Sequence, residues 1–234
     1  MDLIKIVQQI RNVAFPQCCI QCQREGHLWC KTCRADFICR TEQHCPGCGV
    51  VTVYGGRCAE HYDHVLDGVV SATWYANPSS KALMKLWKYR YVREAEPCIS
   101  SVIGQWAFES QQIPAGEWII VPLPLNPIRA RQRGFDQSLF LAQTLSVELG
   151  IPMNTNIVHR KKHFNKPQAK LDDQDRRSRS FDGVFAINNK IAIPKQVILV
   201  DDVYTTGATM SAVASELKLA GVEVVRGFTF ARGH

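Results

Sequence analysis

Long apolar stretches are absent from this sequence, because charged residues or prolines interrupt each one before it reaches the roughly 20 residues that cross a bilayer. The first ten residues include an acid at position two and no long apolar core, which is unlike a secretory signal peptide. The overall balance, 46% hydrophobic and 21% charged residues, is typical of soluble globular proteins. We therefore expect a cytoplasmic protein without membrane insertion.

Aliphatic side chains are scarce in residues 18–61, a segment that instead carries nine of the chain's 10 cysteines. A segment with so few aliphatics needs something other than a hydrophobic core to hold it together. In a reducing compartment, metal ligation explains these cysteines better than disulfides do. The segment has no catalytic base and no evident open coordination position, so we expect structural metal sites.

The spacing of the cysteines predicts two zinc sites. The first consists of two C-x2-C pairs separated by seven residues, and two such knuckles complete a tetrahedral site. The second combines C-P-G-C with a Cys and a His that begin nine residues further on. The predicted ligands are Cys19, Cys22, Cys30 and Cys33 in the first site, and Cys45, Cys48, Cys58 and His61 in the second. Cys18 could replace Cys19 by a shift of register, and Cys39 or His44 could serve the second site.

From residue 65 onward, strand and helix patterns alternate along the chain. Strands are predicted at 68–75, 118–124, 196–200 and 222–230, and helices at 80–89, 137–149 and 210–220. This alternation predicts an α/β fold with a mostly parallel sheet flanked by helices. An amphipathic helix is predicted within residues 1–17. We expect this helix and a double zinc ribbon over residues 1–64, and the α/β domain over residues 65–234.

Residues 198–209 read I-L-V-D-D-V-Y-T-T-G-A-T and combine a buried strand, two acids, a turn and the start of a helix. Asp201 and Asp202 fall at the carboxyl end of the strand, where open α/β sheets bind ligands. Adjacent carboxylates can accept hydrogen bonds from vicinal ribose hydroxyls or hold a divalent cation. The turn presents N–H groups and hydroxyls at a helix start, which suits a phosphate monoester, and Gly207 permits close approach. The alternative is an ordinary strand–turn–helix with an aspartate N-cap.

This run resembles the fingerprint of type I phosphoribosyltransferases, which bind phosphoribosyl pyrophosphate (PRPP). With the cysteine pairs, the Lys88-Tyr89 pair and residues 121–137, which fit a diphosphate loop, the chain resembles the ComF family. The most specific mark is R-G-F-D-Q, Arg133 to Gln137, where the family usually has Asn in place of Asp136. The family's last zinc ligand is usually Cys, where this chain has His61.

The resemblance implies a PRPP site on the loop and a hood that closes over it. The implied PRPP-binding residues are Arg133, Asp201, Asp202, Tyr204, Thr205, Thr206, Gly207, Ala208 and Thr209. The implied hood loop carries Arg160, Gln168 and Arg176 before Phe181. Residues 160–181 hold eight Lys or Arg against three Asp, which suits a sugar with several phosphates. Magnesium is expected with PRPP, and zinc at the two cysteine sites.

Three functions are compatible with these features. The family's association with competence implies a role in DNA uptake or the use of external DNA, in contact with single-stranded DNA or a DNA-uptake helicase. A second function is a phosphoribosyltransferase that transfers the pentosyl group to a small-molecule acceptor and releases diphosphate. A third is a PRPP-sensing regulator without turnover. The motif does not contain the residues that select an acceptor, so we expect a PRPP-binding ComF-type protein without assigning one.

Overall fold

Four parallel strands form the central sheet of the computed structural model, which describes residues 17–89, 93–125, 134–161 and 183–233. In chain order the elements are α1 (Lys31–Ala35), β1 (Gln43–His44), β2 (Val51–Thr52), β3 (Gly68–Trp74), α2 (Pro78–Tyr89), α3 (Glu96–Ser110), β4 (Trp118–Pro122), α4 (Gln137–Leu149), β5 (Val158–Arg160), β6 (Phe185–Ile187), β7 (Gln196–Tyr204), α5 (Ala208–Leu219) and β8 (Val224–Arg232). Short 3-10 helices lie at Val53–Gly55, Ala59–His61 and Arg93–Ala95.

The sheet has the strand order β3–β8–β7–β4, and each neighbouring pair is parallel. Two antiparallel pairs, β1–β2 and β5–β6, lie outside it. Parallel neighbours need long crossovers, and the helices between these strands supply them. The predicted α/β class, a parallel sheet flanked by helices, is confirmed.

β7 lies inside the sheet with both faces covered. Ile198 and Val200 belong to a core shared with α2, α3 and α4, whereas Val197 and Leu199 belong to a core shared with α5 and the β5–β6 pair. All four side chains are fully buried. This double coverage is why the strand reads as a continuous apolar run rather than an alternating one.

β7 is longer than the strand predicted at 196–200. Its parallel pairing with β8 continues to the pair formed by Tyr204 and Arg232, so the strand ends only at Tyr204. β8 is displaced by two residues from the predicted 222–230, and α5 begins at Ala208 rather than at residue 210. The two aspartates therefore belong to the paired part of the strand and not to the turn after it.

The cysteine-rich segment packs against the sheet and its helices. Trp29 and Phe37, with ring centroids 5.1 Å apart, share a core with Trp106 of α3. In β1, the Gln43 side chain accepts a hydrogen bond from the N–H of Ser71 at 2.9 Å and donates one to the Ser71 carbonyl at 3.1 Å. These buried contacts pair the polar groups of Gln43 with the backbone of β3.

Two further predictions from the sequence concern an N-terminal helix and membrane insertion. Of the helix predicted within residues 1–17, all but the last position lies outside the described residues. Within the described part of the chain, no helix combines the length and apolarity that crossing a bilayer requires.

Candidate functional site

Asp201 lies in β7 opposite Thr229 of β8 and is held on two sides. Ser138 of α4 donates its hydroxyl to Asp201 Oδ1 at 3.0 Å, and the N–H of Asp202 donates to the same oxygen at 2.8 Å. Burial and the charge of Asp202 raise the pKa of Asp201 to about 7, although these hydrogen bonds and Lys88 act in the opposite direction. The carboxyl is therefore oriented by the fold and lies close to its titration point at neutral pH.

Asp202 forms an ion pair with a lysine of α2. Lys88, in the last turn of α2, places its Nζ 2.6 Å from Asp202 Oδ2, and both side chains are about 15% exposed or less. A partly buried pair of this kind is screened less by salt than a surface pair. Lys88, the first residue of the ComF-like Lys-Tyr pair, therefore contacts one of the two adjacent acids directly.

Asp136, which stands where the ComF family usually has Asn, is the N-cap of α4. Its Oδ1 accepts a hydrogen bond from the N–H of Leu139 at 3.0 Å. Burial raises the pKa of Asp136, the Leu139 and Ser138 N–H groups lower it, and the charge of Asp202 raises it further. Asn and Asp are about equally good N-caps, so the substitution keeps the cap and adds an acid beside the pair.

The turn between β7 and α5 is built around Gly207. Its φ of 71° lies in the left-handed region, and a Cβ there would stand 2.3 Å from the Tyr204 hydroxyl oxygen. Glycine is therefore required both by conformation and by space. Thr205 and Thr206 are exposed, and the N–H of Ala208 donates to Thr206 Oγ1 at 3.4 Å.

The structure brings most of the predicted loop residues around one small cavity of about 40 Å³. The lining residues are Asp201, Val203, Tyr204, Thr205, Thr206, Gly207, Ala208, Thr209 and Met210. Of the other predicted residues, Arg160 ends β5, with its guanidinium carbon 5.4 Å from the Phe185 ring centroid. Arg133, Gln168 and Arg176 lie outside the described residues.

Two groups of metal-ligand side chains come together in the cysteine-rich segment. They are Cys19, Cys22, Cys30 and Cys33, and Cys45, Cys48, Cys58 and His61, with the ligand atoms of each group all within 4.8 Å of one another. The Sγ atoms of Cys22 and Cys30 are 3.7 Å apart and those of Cys48 and Cys58 are 3.6 Å apart. Zn–S bonds of about 2.3 Å in a tetrahedron place sulfur atoms about 3.8 Å apart. Both groups therefore fit structural zinc.

Backbone hydrogen bonds prepare one sulfur in each group for a metal. Cys19 Sγ accepts from the N–H of Cys30 at 3.5 Å, and Cys45 Sγ accepts from Gly47 at 3.4 Å and Cys58 at 3.5 Å. Burial alone would raise the pKa of each thiol, but backbone N–H groups lower it, to about 6 for Cys19, where Cys30 contributes most, and to about 7 for Cys45, where Cys48 contributes most. The thiolate is the form that binds zinc.

The alternative ligands considered from spacing lie elsewhere. Cys39 is buried and its thiol faces the Val102 carbonyl, with sulfur and oxygen 3.6 Å apart, while burial raises its pKa to about 12. His44 contacts the Arg40 guanidinium through Nδ1 and packs edge-on against Trp74 at 5.2 Å. Cys18 forms a backbone bridge with Glu25, and Cys19 lies in the ligand group.

Sequence reasoning missed several residues of the site because they come from distant segments. Ser138 contacts Asp201 across 63 positions, and Tyr204 donates its hydroxyl to the Pro46 carbonyl across 158 positions at 3.1 Å. Arg232 is not among the residues predicted from the sequence, yet its guanidinium carbon lies 4.9 Å from the Tyr204 ring centroid. The only local signal was that Ser138 directly follows the R-G-F-D-Q segment.

Comparisons with known proteins agree with these features, although no family model matches the chain. It is 29% identical over 228 residues to competence protein F of Haemophilus influenzae, a match covering 92% of this chain and 96% of that protein. It is 27% identical to competence protein ComFC of Streptococcus pneumoniae over 87% of each chain. ComFC of Bacillus subtilis is 26% identical over 77% of this chain and 74% of its own.

The chain is a homologue of the ComF-type competence proteins. The ComF resemblance noted from the sequence motifs is thereby confirmed. The match to the Haemophilus protein leaves out only 8% of this ComF homologue, so it includes residues of both the cysteine-rich segment and the sheet.

The metal clusters predict about two zinc ions per chain of this ComF homologue by elemental analysis. Cys30→Ser should lose one of them and destabilise the segment around it, because metal binding at such sites contributes directly to folding. Cys39→Ser is the matched control, since it changes a buried cysteine outside both ligand groups, and it should keep both ions. A metal-free protein whose cysteine-rich segment is fully folded would contradict the assignment.

The raised pKa of Asp201 predicts a pH dependence of stability. Its pKa rises from 3.8 to about 7 on folding, so its contribution to the free energy of unfolding is complete below about pH 4 and is lost as the pH rises through about 7. Asp201→Asn cannot ionise and should gain stability relative to the parent over that range, as measured by urea unfolding at each pH. Glu148→Gln, at an exposed position on α4, is the control. A constant difference between the Asp201→Asn variant and the parent from pH 4 to 8 would refute the raised pKa.

Proposed function

We propose that this ComF homologue binds PRPP at residues 201–209 and acts in DNA uptake. The observation that supports binding most is the pair of carboxylates in β7, followed directly by a Thr- and Gly-rich turn into α5. The similarity to competence proteins supports the role in DNA uptake. In this proposal residues 1–64 form a zinc-bearing module, and residues 65–234 form the PRPP-binding domain.

The ribose of PRPP is assigned to Asp201 and Asp202. Their carboxylates are acceptors, as the two vicinal hydroxyls of a ribose require. Ser138 and Lys88 fix the two side chains before any ligand arrives, at 3.0 Å and 2.6 Å respectively. A site whose side chains are already ordered loses less conformational entropy on binding.

The 5′-phosphate is assigned to the turn and the first residues of α5. The start of this 12-residue helix offers N–H groups without helical partners and a partial positive charge. Gly207 leaves space for close approach, and the exposed hydroxyls of Thr205 and Thr206 can donate to phosphate oxygens. The long 3.4 Å contact between Ala208 N–H and Thr206 Oγ1 is easily given up for a phosphate oxygen.

The diphosphate is assigned by resemblance to residues outside the described part of the chain. Arg133 would contact it, and Gln168 and Arg176 would close over it as the hood begun by Arg160. Magnesium would accompany the diphosphate, and carboxylates such as that of Asp202 are the oxygen ligands that this ion prefers.

Two other functions would use the same loop. A phosphoribosyltransferase would transfer the pentosyl group to an acceptor and release diphosphate, whereas a PRPP-sensing regulator would bind without turnover. A screen for diphosphate release with candidate acceptors distinguishes the two. PRPP binding is common to both and is the step to be tested first.

The DNA partner is proposed on charge as well as on similarity. Residues 160–181 have five more cations than acids. Single-stranded DNA or a DNA-uptake helicase is the proposed partner, because basic segments bind phosphate backbones by releasing counterions.

Calorimetry with PRPP and magnesium tests the PRPP site. Asp201→Asn and Asp202→Asn should each weaken binding about ten- to a hundredfold, because hydrogen bonds to charged groups contribute roughly 1.5–3 kcal/mol. The fold should be kept, since the amide has nearly the same volume. Glu148→Gln is the matched control for the loss of an acid and should bind like the parent.

Thr206→Val sharpens the test by separating phosphate from ribose. It should weaken PRPP binding to a similar extent but should leave the binding of a ribose without the 5′-phosphate unchanged. If the folded double variant Asp201→Asn, Asp202→Asn binds PRPP as tightly as the parent, residues 201–209 are not the ribose-phosphate site.

Salt dependence tests the DNA proposal, which rests on the sequence of residues 160–181. Neutralising Arg176, Arg177 and Arg179 together should reduce the slope of log K against log salt for single-stranded DNA by about 0.7 per lost phosphate contact. Neutralising three exposed cations elsewhere is the control, with the same change in net charge. The control positions are Arg24, Lys31 and Lys190. An unchanged slope in the Arg176, Arg177, Arg179 variant would exclude this segment from DNA contact.

A further inference from the structure

The turn of the second metal cluster touches the end of β7. Pro46 lies between the ligands Cys45 and Cys48, and its carbonyl accepts the Tyr204 hydroxyl at 3.1 Å. Tyr204 is 3% exposed, so this hydrogen bond is shielded from water. The last residue of β7 is thus bonded to the knuckle that would hold the metal.

A buried arginine makes a second connection between the same two regions. Arg232 donates from Nη1 to the His44 carbonyl at 3.2 Å and from Nη2 to the Cys45 carbonyl at 3.1 Å. Its guanidinium also covers the Tyr204 ring, with 4.9 Å between guanidinium carbon and ring centroid. Burying a guanidinium is unfavourable unless its N–H groups find acceptors, and the knuckle backbone provides two of them.

Tyr204 also contacts the turn between β7 and α5. Its hydroxyl stands where a side chain on Gly207 would be, and Gly207 has the left-handed backbone that begins α5. The Tyr204 carbonyl also accepts the N–H of Gly233 at 2.7 Å, just beyond β8. Tyr204 is therefore packed between the knuckle on one side and the turn on the other.

The first cluster is placed differently. Cys19, Cys30 and Cys33 belong to the core on the side of α2, α3 and α4, together with Trp29 and Phe37. The first cluster therefore serves as a control for the second, because it lies in the core beside α2, α3 and α4 whereas the second lies against the turn between β7 and α5.

We propose that a metal ion bound by Cys45, Cys48, Cys58 and His61 positions residues 204–209 through Tyr204 and Arg232, so that metal binding and PRPP binding strengthen each other. A bound ion fixes the Cys45–Cys48 turn, and the fixed turn holds the Tyr204 hydroxyl and the Arg232 guanidinium in place. The coupling to PRPP rests on the proposed function, whereas the positioning of the turn does not.

Thermodynamic linkage makes the coupling reciprocal. If the metal raises the affinity for PRPP by some factor, PRPP raises the affinity for the metal by the same factor, and couplings between sites are typically about 5- to 150-fold. PRPP with magnesium should therefore slow the release of one of the two zinc ions to a chelator, and leave the release of the other unchanged.

The first experiment compares the loss of each metal in the full-length chain. Cys58→Ser removes a ligand of the second cluster, and Cys22→Ser, at an exposed ligand, removes one from the first. Cys58→Ser should weaken PRPP binding at least about fivefold and increase hydrogen exchange in residues 204–209. Cys22→Ser should change neither. Equal effects of both variants, or none from Cys58→Ser, would overturn the proposal.

The second experiment keeps both metal sites intact and therefore still decides the matter if a cysteine variant fails to fold. Tyr204→Phe removes only the hydroxyl that reaches Pro46, and one such hydrogen bond corresponds to a loss of about three- to tenfold in PRPP affinity. The slowing of zinc release by PRPP should shrink by the same factor. Tyr75→Phe, which removes a hydroxyl just after β3, is the control. Undiminished slowing in Tyr204→Phe would overturn the proposed path.

The two proposals fail in different ways. If the parent protein does not bind PRPP at all, the proposed function is wrong and the coupling falls with it, while hydrogen exchange in residues 204–209 still decides whether the metal positions the turn. If the parent binds PRPP but exchange in this segment is the same with and without the second metal, the proposed function stands and this inference is wrong.

Discussion

The site depends on the parallel pairing of β7 with β8, which continues past the two aspartates to Tyr204 and Arg232. Were β7 to end at Val200, both acids would lie in a turn with freedom to move. Because the pairing continues, Asp201 lies opposite Thr229 with its backbone fixed. Helices α2 and α4 then bring Lys88 and Ser138 to side chains that already have a defined direction.

The electrostatics of the site follow from the closeness of three acids and one lysine. Beside burial, the charge of Asp202 raises the pKa of both Asp136 and Asp201, and Lys88 is the cation that pairs with Asp202. Burial and mutual repulsion raise the pKa of Asp201 to about 7, so the free site carries less negative charge at neutral pH than its composition suggests. Donors that approach these oxygens, such as sugar hydroxyls, favour the ionised form. Ligand binding is therefore expected to release protons near neutral pH.

Local patterns predicted the fold class, and α4 was predicted with its observed bounds, Gln137–Leu149. They predicted the ligand groups of both metal clusters as well, because C-x2-C spacing is itself a local geometric constraint. They failed where distant segments decide the outcome. The apolar run stops at Val200, so periodicity ended the strand there, whereas pairing with β8 extends it to Tyr204. The contacts of Ser138 and Pro46 depend on register and docking across 63 and 158 positions, which no window of sequence contains.

The two metal clusters show how a short segment with few aliphatic residues can contribute both to stability and to a binding site. The first cluster is part of the hydrophobic core on the side of α2, α3 and α4, where Cys19, Cys30 and Cys33 are buried with aromatic and aliphatic residues. The second cluster is more open to solvent, with Cys48 exposed and Cys58 half-buried, so burial of its ligands contributes less to the fold. Its backbone carbonyls instead satisfy the buried polar groups at the carboxyl edge of the sheet. A metal in the first cluster therefore acts mainly on folding, and a metal in the second acts on the edge where ligands of α/β sheets bind.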